Sequence, residues 1–382
     1  MIIQSVELLS LKVPLHTPFK TAVREVSHIH DLVVRVHCSN GCVGYGSAPS
    51  TEKITGDSHA SIKMALETVL IPLVIGESLQ DFQPLIEKLH KVTNAGSNAK
   101  AAMDIALFDA YAQYTQQPLY ELIESLSGGI QTTRKTDTTI ETDYTISVNP
   151  VKQMCSDIDV AVARGYRCLK IKIGNQACED LERLRVIYAH AQSLQSDKVN
   201  LRMRLDVNQG WDTQTTIDIM QKLEHEGVAF ELIEQPLVAN DIEGLARIKR
   251  AIKTPIMADE SAFNLAQVVQ LHQLDAIDII NIKLMKAGGL YPAMQIADYC
   301  RAHKLRCMMG CMLEGSIGVA AAAHLALAYA DVITLIDLDG PTLGQYDPIM
   351  GASRFKDANI FLNTTPGLGI SPWQVLCVFG CR

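Results

Sequence analysis

The sequence predicts an α/β protein in which a small α+β domain precedes a large parallel β/α barrel. From Thr145 onward, short apolar strands alternate with helical segments at regular intervals, a pattern typical of βαβ units. No glycine-rich phosphate-binding turn follows the first strand, which favours a closed (β/α)8 barrel over an open nucleotide-binding sheet. The eight predicted strands are 145–149, 167–173, 200–207, 229–234, 255–259, 278–283, 306–311 and 332–337. The helices predicted between them are 151–164, 179–194, 213–226, 241–252, 264–272, 290–303 and 316–329.

The first 128 residues predict the smaller domain. Strand-like stretches at 6–13, 32–38 and 43–45, with a Ser39-Asn40-Gly41 turn, precede helical periodicity from about residue 58 to residue 126. The irregular stretches 17–26 and 54–57 are predicted surface loops, the first with a functional task. We therefore predict an α+β domain at 1–128, a barrel at 129–340 and a C-terminal segment at 341–382 that packs back on both.

Composition narrows the class of function. The 382 residues are 48% hydrophobic and 20% charged, with a formal net charge of −8, which argues against nucleic-acid and membrane-surface partners. The N-terminus alternates like a strand and lacks the pattern of a secretory signal. The ten cysteines are scattered without zinc-site spacing, so reduced thiols in a cytoplasmic protein are expected. A homo-oligomer is compatible with this composition.

Two lysines, Lys170 and Lys172, alternate with apolar residues in the second barrel strand. Side chains two apart in a strand share a face, so both ammonium groups would point into the barrel. Desolvation and mutual repulsion disfavour the charged form, so we expect at least one neutral amine, which is a base. The alternative is a strand whose polar face is exposed to solvent. The sequence of this strand, considered alone, favours that alternative.

The next three predicted strands end in Asp206, Glu234 and Asp259. Strand ends of a β/α barrel meet at the rim where catalytic groups lie. Buried like charges repel each other there, and a hard cation with oxygen ligands resolves the conflict, so Mg2+ is the expected metal. Each acid could instead cap the following helix. Three in succession make capping alone a poor account.

Lys283, on the sixth predicted strand, would lie across the barrel from Lys170 and Lys172. A substrate carboxylate bound to the metal would have its α-carbon between these amines. The metal would stabilise the enediolate that forms when the α-proton leaves. One lysine removes the proton and another returns one on the opposite face, which predicts epimerisation.

Five motifs in register resemble the muconate-lactonizing subgroup of the enolase superfamily, over nearly the whole chain. The resemblance implies a modified (β/α)7β barrel beneath an α+β capping domain whose loops close over the site. The motifs are Lys-Ile-Lys-Ile-Gly from 170, Asp-Val-Asn-Gln-Gly-Trp from 206, Ile-Glu-Gln-Pro from 233, Ala-Asp-Glu-Ser from 258 and Asn-Ile-Lys-Leu-Met-Lys-Ala-Gly-Gly from 281.

This resemblance also implies roles for individual residues. Lys172 and Lys283 would be the bases on the two faces, and Lys170 would adjust the acidity of Lys172 and help neutralise the substrate carboxylate. The implied Mg2+ ligands are Asp206, Glu234 and Asp259.

The Asp337-Leu338-Asp339 element separates members of the subgroup. The two aspartates would share a face and present negative charge to the substrate. This element is similar to that of the dipeptide epimerases, which implies that it holds the α-ammonium of a dipeptide; a muconate or a succinylbenzoate carries no such cation. A solvated or helix-capping acidic pair is the alternative.

The loop Pro18–Arg24 is similar to that of L-Ala-D/L-Glu epimerases. It implies that Arg24 binds the side-chain carboxylate of a glutamyl residue, for which a guanidinium is suited; a surface arginine without a ligand is the alternative. Cys311 stands where a serine is expected. The other implied site residues are Thr145, near the substrate carboxylate, and Cys311, Met312 and Leu313, whose backbone would line the site.

Together these features predict a Mg2+-dependent dipeptide epimerase that interconverts L-Ala-L-Glu and L-Ala-D-Glu in murein peptide metabolism. The enzyme alternatives are an o-succinylbenzoate synthase, an N-acylamino-acid racemase or an epimerase with another side-chain preference. A catalytically inactive binding or scaffold protein on the same barrel is disfavoured, because the lysines and carboxylates are all present.

Overall fold

A computed structural model describes residues 1–20, 25–127, 138–174, 176–197 and 199–371 of the chain. The N-terminal part is an antiparallel three-stranded sheet covered by helices. Its strands are β1 (Ile3–Lys20), β2 (Glu25–Cys38) and β3 (Val43–Pro49). Its helices are α1 (Glu52–Thr55), α2 (His59–Ala65), α3 (Ile71–Val74), α4 (Phe82–Lys91), α5 (Ser97–Tyr114) and α6 (Leu119–Leu126), with a π-helical turn at Leu66–Leu70 and a 3-10 turn at Leu79–Asp81.

Helix α5 lies directly on β3, and two glycines make this approach possible. A Cβ at Gly44 would collide with the carbonyl oxygen of Ala106, and one at Gly46 with that of Ala102. The alanine-rich face of α5 and the two glycines therefore form the core of the cap. These glycines serve packing, in agreement with the absence of a phosphate fingerprint in the sequence.

The second part is a sheet of eight parallel strands, in the order β12-β11-β10-β9-β8-β7-β6-β5. A short strand, β4 (Thr139–Glu141), precedes it. The barrel strands are β5 (Tyr144–Ile146), β6 (Cys168–Lys172), β7 (Arg202–Asp206), β8 (Ile233–Glu234), β9 (Ile256–Ala258), β10 (Ile279–Ile282), β11 (Arg306–Gly310) and β12 (Ile333–Asp337). The helices are α7 (Val151–Ala163), α8 (Ala177–Ser193), α9 (Thr213–His225), α10 (Ile242–Ala251), α11 (Leu265–Gln273), α12 (Leu284–Ala287), α13 (Leu290–His303) and α14 (Ser316–Ala328).

Helices follow the first seven strands of this sheet, whereas β12 leads into a 3-10 turn at Gly340–Leu343. The predicted α/β fold, a modified (β/α)7β barrel with an α+β cap, is confirmed. The first and last strands meet at a seam, where the backbone N–H of Asp143 donates to the carbonyl of Ile336 at 3.4 Å. The N–H of Leu338 donates across the same seam to Oγ1 of Thr142 at 2.8 Å.

The C-terminal segment contains a hairpin that sequence periodicity did not predict. Strands β13 (Ser353–Lys356) and β14 (Asn359–Leu362) pair with each other, and β14 pairs with β4. Further along, the N–H of Leu119 in the cap donates to the carbonyl of Gly367 at 3.0 Å. The exact segment boundaries stay predictions, and the boundary at 128/129 and residues 372–382 lie outside the described residues.

The predicted loop at 17–26 is wrong in extent. β1 and β2 continue into it, with Phe19 opposite Val26 and Lys20 opposite Glu25, because long antiparallel strands can project beyond a core as a ribbon. The stretch 54–57 is also more regular than predicted, since α1 runs through Thr55 and ends at Gly56. Within the described residues, no helix combines the length and apolar character needed to cross a membrane.

Candidate active site

A pocket of about 60 Å³ lies at the carboxyl ends of the barrel strands, beneath the cap. Phe19 and Ile54 from the cap, together with Leu343, supply apolar walls. Ten of the predicted site residues line it: Thr145, Lys170, Lys172, Asp259, Lys283, Cys311, Met312, Leu313, Asp337 and Asp339.

The remaining two predicted carboxylates lie beneath Lys170. Its Nζ is 3.1 Å from Oδ2 of Asp206, 2.6 Å from Oε2 of Glu234 and 2.6 Å from Oδ2 of Asp337. Lys172 pairs with the same Oδ2 of Asp206 at 2.5 Å. The strands β6, β7, β8 and β12 thus bring five charged groups together at one level of the barrel.

At least one neutral amine was expected from Lys170 and Lys172, and the surroundings of Lys170 favour its charged form. Burial lowers the pKa of its ammonium, but Asp206, Asp337 and Glu234 outweigh burial and hold that pKa well above the ordinary value. The charged form is stabilised by carboxylates of three other strands that converge on Lys170.

Lys283 faces Lys172 from across the barrel. Their strands, β10 and β6, are four positions apart in the eight-stranded sheet, and both side chains line the pocket. Nζ of Lys283 donates to Oδ2 of Asp259 at 2.8 Å. Burial lowers the pKa of Lys283, and Asp259 reverses this and raises it above the ordinary value.

Burial and neighbouring charge separate the acidities of the three carboxylates. Burial raises the pKa of Asp206 and of Asp259, but lysine partners outweigh it and leave both pKa values below the ordinary range. Burial and the charge of Asp206 raise the pKa of Glu234 to about 7. The side chain amide of Asn281 donates to Oε1 of Glu234 at 2.8 Å.

The chemistry of this donor set fits Mg2+. Each of the three carboxylates presents an oxygen to a cationic group, and the set contains oxygen ligands only, which Mg2+ prefers. In the described chain, Oε2 of Glu234 has no hydrogen bond of good geometry, although Lys170 lies 2.6 Å away. Among the described residues, no three metal-ligating side chains lie close enough together to bind one ion. Each of the three carboxylates forms an ion pair with a lysine instead.

Asp337 and Asp339 sit at the end of β12 and have different pKa values. Burial raises the pKa of Asp337, but Lys170 and Lys283 outweigh it and lower the pKa to about 2. Burial and the charge of Asp337 raise the pKa of Asp339 to about 6. The backbone N–H of Thr145 donates to Oδ2 of Asp339 at 2.7 Å. This end of the pocket is anionic and suits a substrate cation.

Two further polar side chains shape the site and were not singled out from the sequence. Oδ1 of Asn208 accepts a hydrogen bond from Lys172 at 3.0 Å. Oε1 of Gln235 accepts the backbone N–H groups of Asp259 and Ser261, at 2.9 and 3.1 Å, and so fixes the end of β9. Both Asn208 and Gln235 have positive φ, at 45° and 36°, a strained conformation often found at functional sites. Both residues belong to the Asp-Val-Asn-Gln and Glu-Gln-Pro motifs, and this position next to a predicted metal ligand could have identified them as site residues.

A glycine makes room for Lys283. A Cβ at Gly310, the last residue of β11, would collide with Oδ1 of Asn281 and with Cε of Lys283. Arg24, predicted to bind a substrate carboxylate, lies outside the described residues. Cys311 lines the pocket, and burial with the nearby Asp337 raises the pKa of its thiol.

Comparison with known proteins gives a consistent result. Residues 3–124 match the family described as mandelate racemase/muconate lactonizing enzyme, N-terminal domain, and residues 153–374 match the enolase C-terminal domain-like family. The chain is 41% identical to an L-Ala-D/L-Glu epimerase of Clostridium acetobutylicum, covering 97% of this chain and 99% of the relative.

Solved structures agree with this. The substrate-liganded L-Ala-D/L-Glu epimerase from Bacillus subtilis superposes with a TM-score of 0.90 at 37% identity, covering 97% of this chain and 99% of that one. A dipeptide epimerase from Enterococcus faecalis, in complex with Mg and the dipeptide L-Leu-L-Tyr, has a TM-score of 0.88 at 32% identity, covering 97% of this chain and 100% of that one. The chain belongs to the mandelate racemase/muconate lactonizing enzyme family of enolase-like proteins.

Proposed function

We propose that this protein is a Mg2+-dependent dipeptide epimerase that interconverts L-Ala-L-Glu and L-Ala-D-Glu. The observation that carries the proposal is the pair of pocket lysines, Lys172 and Lys283, on strands from opposite sides of the barrel. Only an arrangement with a proton acceptor on one face and a donor on the other inverts a carbon centre without turning the substrate over. The relatives named L-Ala-D/L-Glu epimerase support the choice of dipeptide.

The two ends of the substrate have different partners. Its α-ammonium binds between Asp337 and Asp339, which carry the negative charge at one end of the pocket. Its carboxylate lies toward Lys170 and Thr145. The backbone of residues 311–313 lines the intervening wall. Arg24 is proposed to bind the glutamyl side chain, on the strength of the loop sequence alone.

The proton moves between the lysines and the α-carbon. Lys172 takes the α-proton of one epimer and Lys283 protonates the opposite face, and the roles reverse for the other epimer. Asp206, Glu234 and Asp259 would hold a Mg2+ ion, which would supply positive charge against the negative charge that develops when the α-proton leaves. Asp206 and Asp259 are the counter-ions of Lys172 and Lys283. If the two carboxylates bind a metal ion instead, the neutral amine forms of both lysines become more accessible.

The proposed setting follows from the substrate. L-Ala-D-Glu is a fragment of murein peptides and L-Ala-L-Glu is its epimer, so we propose a role in murein peptide metabolism. We also propose a cytoplasmic location, with which the free cysteines of the described residues agree. Assembly as a homo-oligomer is proposed as well, and the composition is compatible with it.

A deuterium-exchange screen tests the proposal. The full chain with Mg2+ is incubated in D2O with L-Ala-L-Glu and a panel of L-Ala-L-Xaa dipeptides, and mass spectrometry follows deuterium at the C-terminal α-carbon. We expect uptake and inversion with the acidic dipeptides, both lost on addition of EDTA. Exchange confined to hydrophobic or cationic dipeptides would refute the proposed side chain and the role of Arg24. Lack of exchange with every dipeptide would refute the epimerase.

A further inference from the structure

A buried lysine next to the site has no part in the chemistry above. Lys286 lies in α12 and is 3% exposed. Its Nζ donates to Oδ1 of Asp259 at 2.6 Å, to the carbonyl of Asp259 at 2.7 Å and to the carbonyl of Asn281 at 2.8 Å. An ammonium has three N–H donors, so all of them are used. The residues described around the pocket do not include Lys286, so its function is exerted through Asp259.

Two lysines divide the carboxylate of Asp259 between them. Lys283 takes Oδ2 from inside the pocket at 2.8 Å, and Lys286 takes Oδ1 from behind. The two carbonyl contacts hold the ammonium of Lys286 in place whatever occupies the pocket. Oδ1 therefore stays covered when Lys283 moves, and Asp259 offers one oxygen to the pocket.

The number of oxygens that a carboxylate offers discriminates between divalent cations. Ca2+ takes six to eight oxygens in flexible geometry and accepts carboxylates through both oxygens, whereas Mg2+ needs a near-octahedral set at shorter distances. A carboxylate restricted to one oxygen favours the smaller ion.

We propose that Lys286 is a positioning residue that makes Asp259 a one-oxygen ligand and thereby sets the preference of this site for Mg2+ over Ca2+. The proposal rests on the proposed function, because it requires a divalent-cation site at Asp206, Glu234 and Asp259. It assigns different tasks to the two lysines of the Lys-Leu-Met-Lys segment: Lys283 faces the substrate, and Lys286 shapes the metal ligand.

Substitution of Lys286 has two effects that the experiment must separate. Loss of a positive charge near the site strengthens binding of every divalent cation to a similar degree. Release of Oδ1 strengthens Ca2+ binding selectively. The ratio of the two dissociation constants cancels the first effect and reports the second.

The test compares Lys286→Met with the wild type by calorimetric titration of the EDTA-stripped full chain with Mg2+ and with Ca2+. We expect the preference for Mg2+ over Ca2+ to fall by about tenfold or more in Lys286→Met. The matched control is Lys249→Met, because Lys249 also pairs with a carboxylate, Asp275 at 2.7 Å, and a carbonyl, Ile277 at 2.6 Å, on the outside of the barrel. The control is expected to keep the wild-type ratio.

A second variant guards against misfolding. Lys286→Gln keeps N–H donors for the carbonyls but lacks the charge. It should lower the preference for Mg2+ over Ca2+ by a smaller factor than Lys286→Met does. An unchanged ratio in a folded Lys286 variant, with wild-type Mg2+ binding and epimerisation intact, overturns this inference alone. Absence of Mg2+ binding and of epimerisation in the wild type overturns the proposed function as well.

Discussion

At the scale of single residues, the two pocket lysines are expected to be separable by the face of the substrate that each serves. Lys283→Gln should lower the rate of inversion by a factor of about 10² to 10⁴. It should retain exchange of the α-proton that faces Lys172 in one epimer only. Lys172→Gln should show the opposite epimer preference, because β6 and β10 lie on opposite sides of the barrel. NMR of both L-Ala-Glu epimers in D2O measures these rates.

The control for this pair is Lys88→Met, which removes an exposed lysine that pairs with Glu77 at 2.7 Å, outside the pocket. It should leave exchange of both epimers unchanged. Loss of exchange for the same epimer in both Lys172→Gln and Lys283→Gln would mean that the two lysines act from one side, contrary to the proposed mechanism.

Asp337 supports a second prediction at this scale. Its carboxylate is ionised, with a pKa of about 2, because Lys170 and Lys283 outweigh the effect of burial. In Asp337→Asn the substrate α-ammonium loses a charged partner, a loss of about 2 kcal/mol or more that corresponds to roughly a 30-fold rise in KM. Steady-state kinetics with L-Ala-L-Glu measures this rise.

N-acetyl-L-Ala-L-Glu has no α-ammonium and separates the two roles open to Asp337. If it binds the ammonium, the variant and the wild type should differ much less with the acetylated substrate. Equal losses with both substrates would show that Asp337 acts only by holding Lys170, which it contacts at 2.6 Å. Asp298→Asn, on the outer helix α13, should leave both KM values unchanged.

Sequence reasoning identified the charged residues of this site better than it identified their partners. Lysines or acids at the ends of successive strands must meet in any β/α barrel, so Lys170, Asp206 and Glu234 were predictable from spacing. The role of Lys286 was not, since two of its three acceptors are backbone carbonyls, whose positions depend on the folded chain. Which of Lys170 and Lys172 stays charged could not be predicted for a related reason, because the charge of Lys170 depends on three acids from three other strands.

At the scale of secondary structure, the number and order of the barrel strands were predicted, and their lengths were overestimated. The predicted strand 229–234 is reduced to Ile233–Glu234, and 255–259 to Ile256–Ala258. A continuous apolar run reports burial, whereas a strand ends where its ladder of hydrogen bonds ends. The side-chain contacts at the seam between β5 and β12 could not be foreseen from periodicity, because two of them are made by a side chain from β7.

That side chain is Arg204, which is 3% exposed and crosses the barrel interior. Nη1 donates to Oδ2 of Asp143 at 2.7 Å and to the carbonyl of Ile336 at 2.8 Å, so one guanidinium joins the two strands of the seam. Nε donates to Oε2 of Glu231 at 2.6 Å. In its absence Oδ2 of Asp143 would lose its partner, whereas the carbonyl of Ile336 would keep the N–H of Asp143 and Glu231 would keep Arg202.

Arg204→Met is therefore expected to lower the free energy of unfolding by about 3–5 kcal/mol, the usual loss when one partner of a buried ion pair is removed. Urea denaturation followed by circular dichroism measures the change. Arg185→Met is the control, since Arg185 pairs with Glu226 at the protein surface and its removal should not shift the urea midpoint. A midpoint for Arg204→Met equal to that of the control would contradict a role in closing the barrel.

At the scale of the whole molecule, buried acids of the cap join it to the barrel. Oδ1 of Asp104, in α5, accepts the backbone N–H of Leu290 at the start of α13 at 2.6 Å. Oδ2 of Asp31, in β2, accepts the N–H of Gly315 at 2.9 Å, just beyond the residues that line the pocket. These long-range contacts hold the cap over the barrel mouth. No sequence motif predicts them.

The second of these contacts brings two acids together. Asp31 and Glu314 are both buried, and within the described chain Oδ1 of Asp31 and Oε2 of Glu314 have no hydrogen-bond partner. Burial raises the pKa of Asp31 from 3.8 to about 7, against the N–H of Gly315 and the hydroxyl of Ser47. Burial and the charge of Asp31 raise the pKa of Glu314 from 4.5 to about 8, against the N–H of Met312 and the ammonium of Lys283. Both acids are expected to be protonated in the folded protein near pH 6.

A pH dependence of stability follows from these raised pKa values. Between about pH 4 and pH 8 the unfolded chain has lost protons that Asp31 and Glu314 retain when folded, so their contribution to the free energy of unfolding falls as the pH rises and levels off above pH 8. Asp31→Asn and Glu314→Gln keep the hydrogen bonds from Gly315 and Met312 and remove the titration. The stability advantage of each variant over the wild type in urea denaturation should grow by about 1–3 kcal/mol between pH 5 and pH 8, since one pKa unit corresponds to about 1.4 kcal/mol. Comparing variants with the wild type at each pH cancels the titration of every other group, so parallel profiles would mean that the pKa values of these two carboxyl groups are not raised in the folded protein.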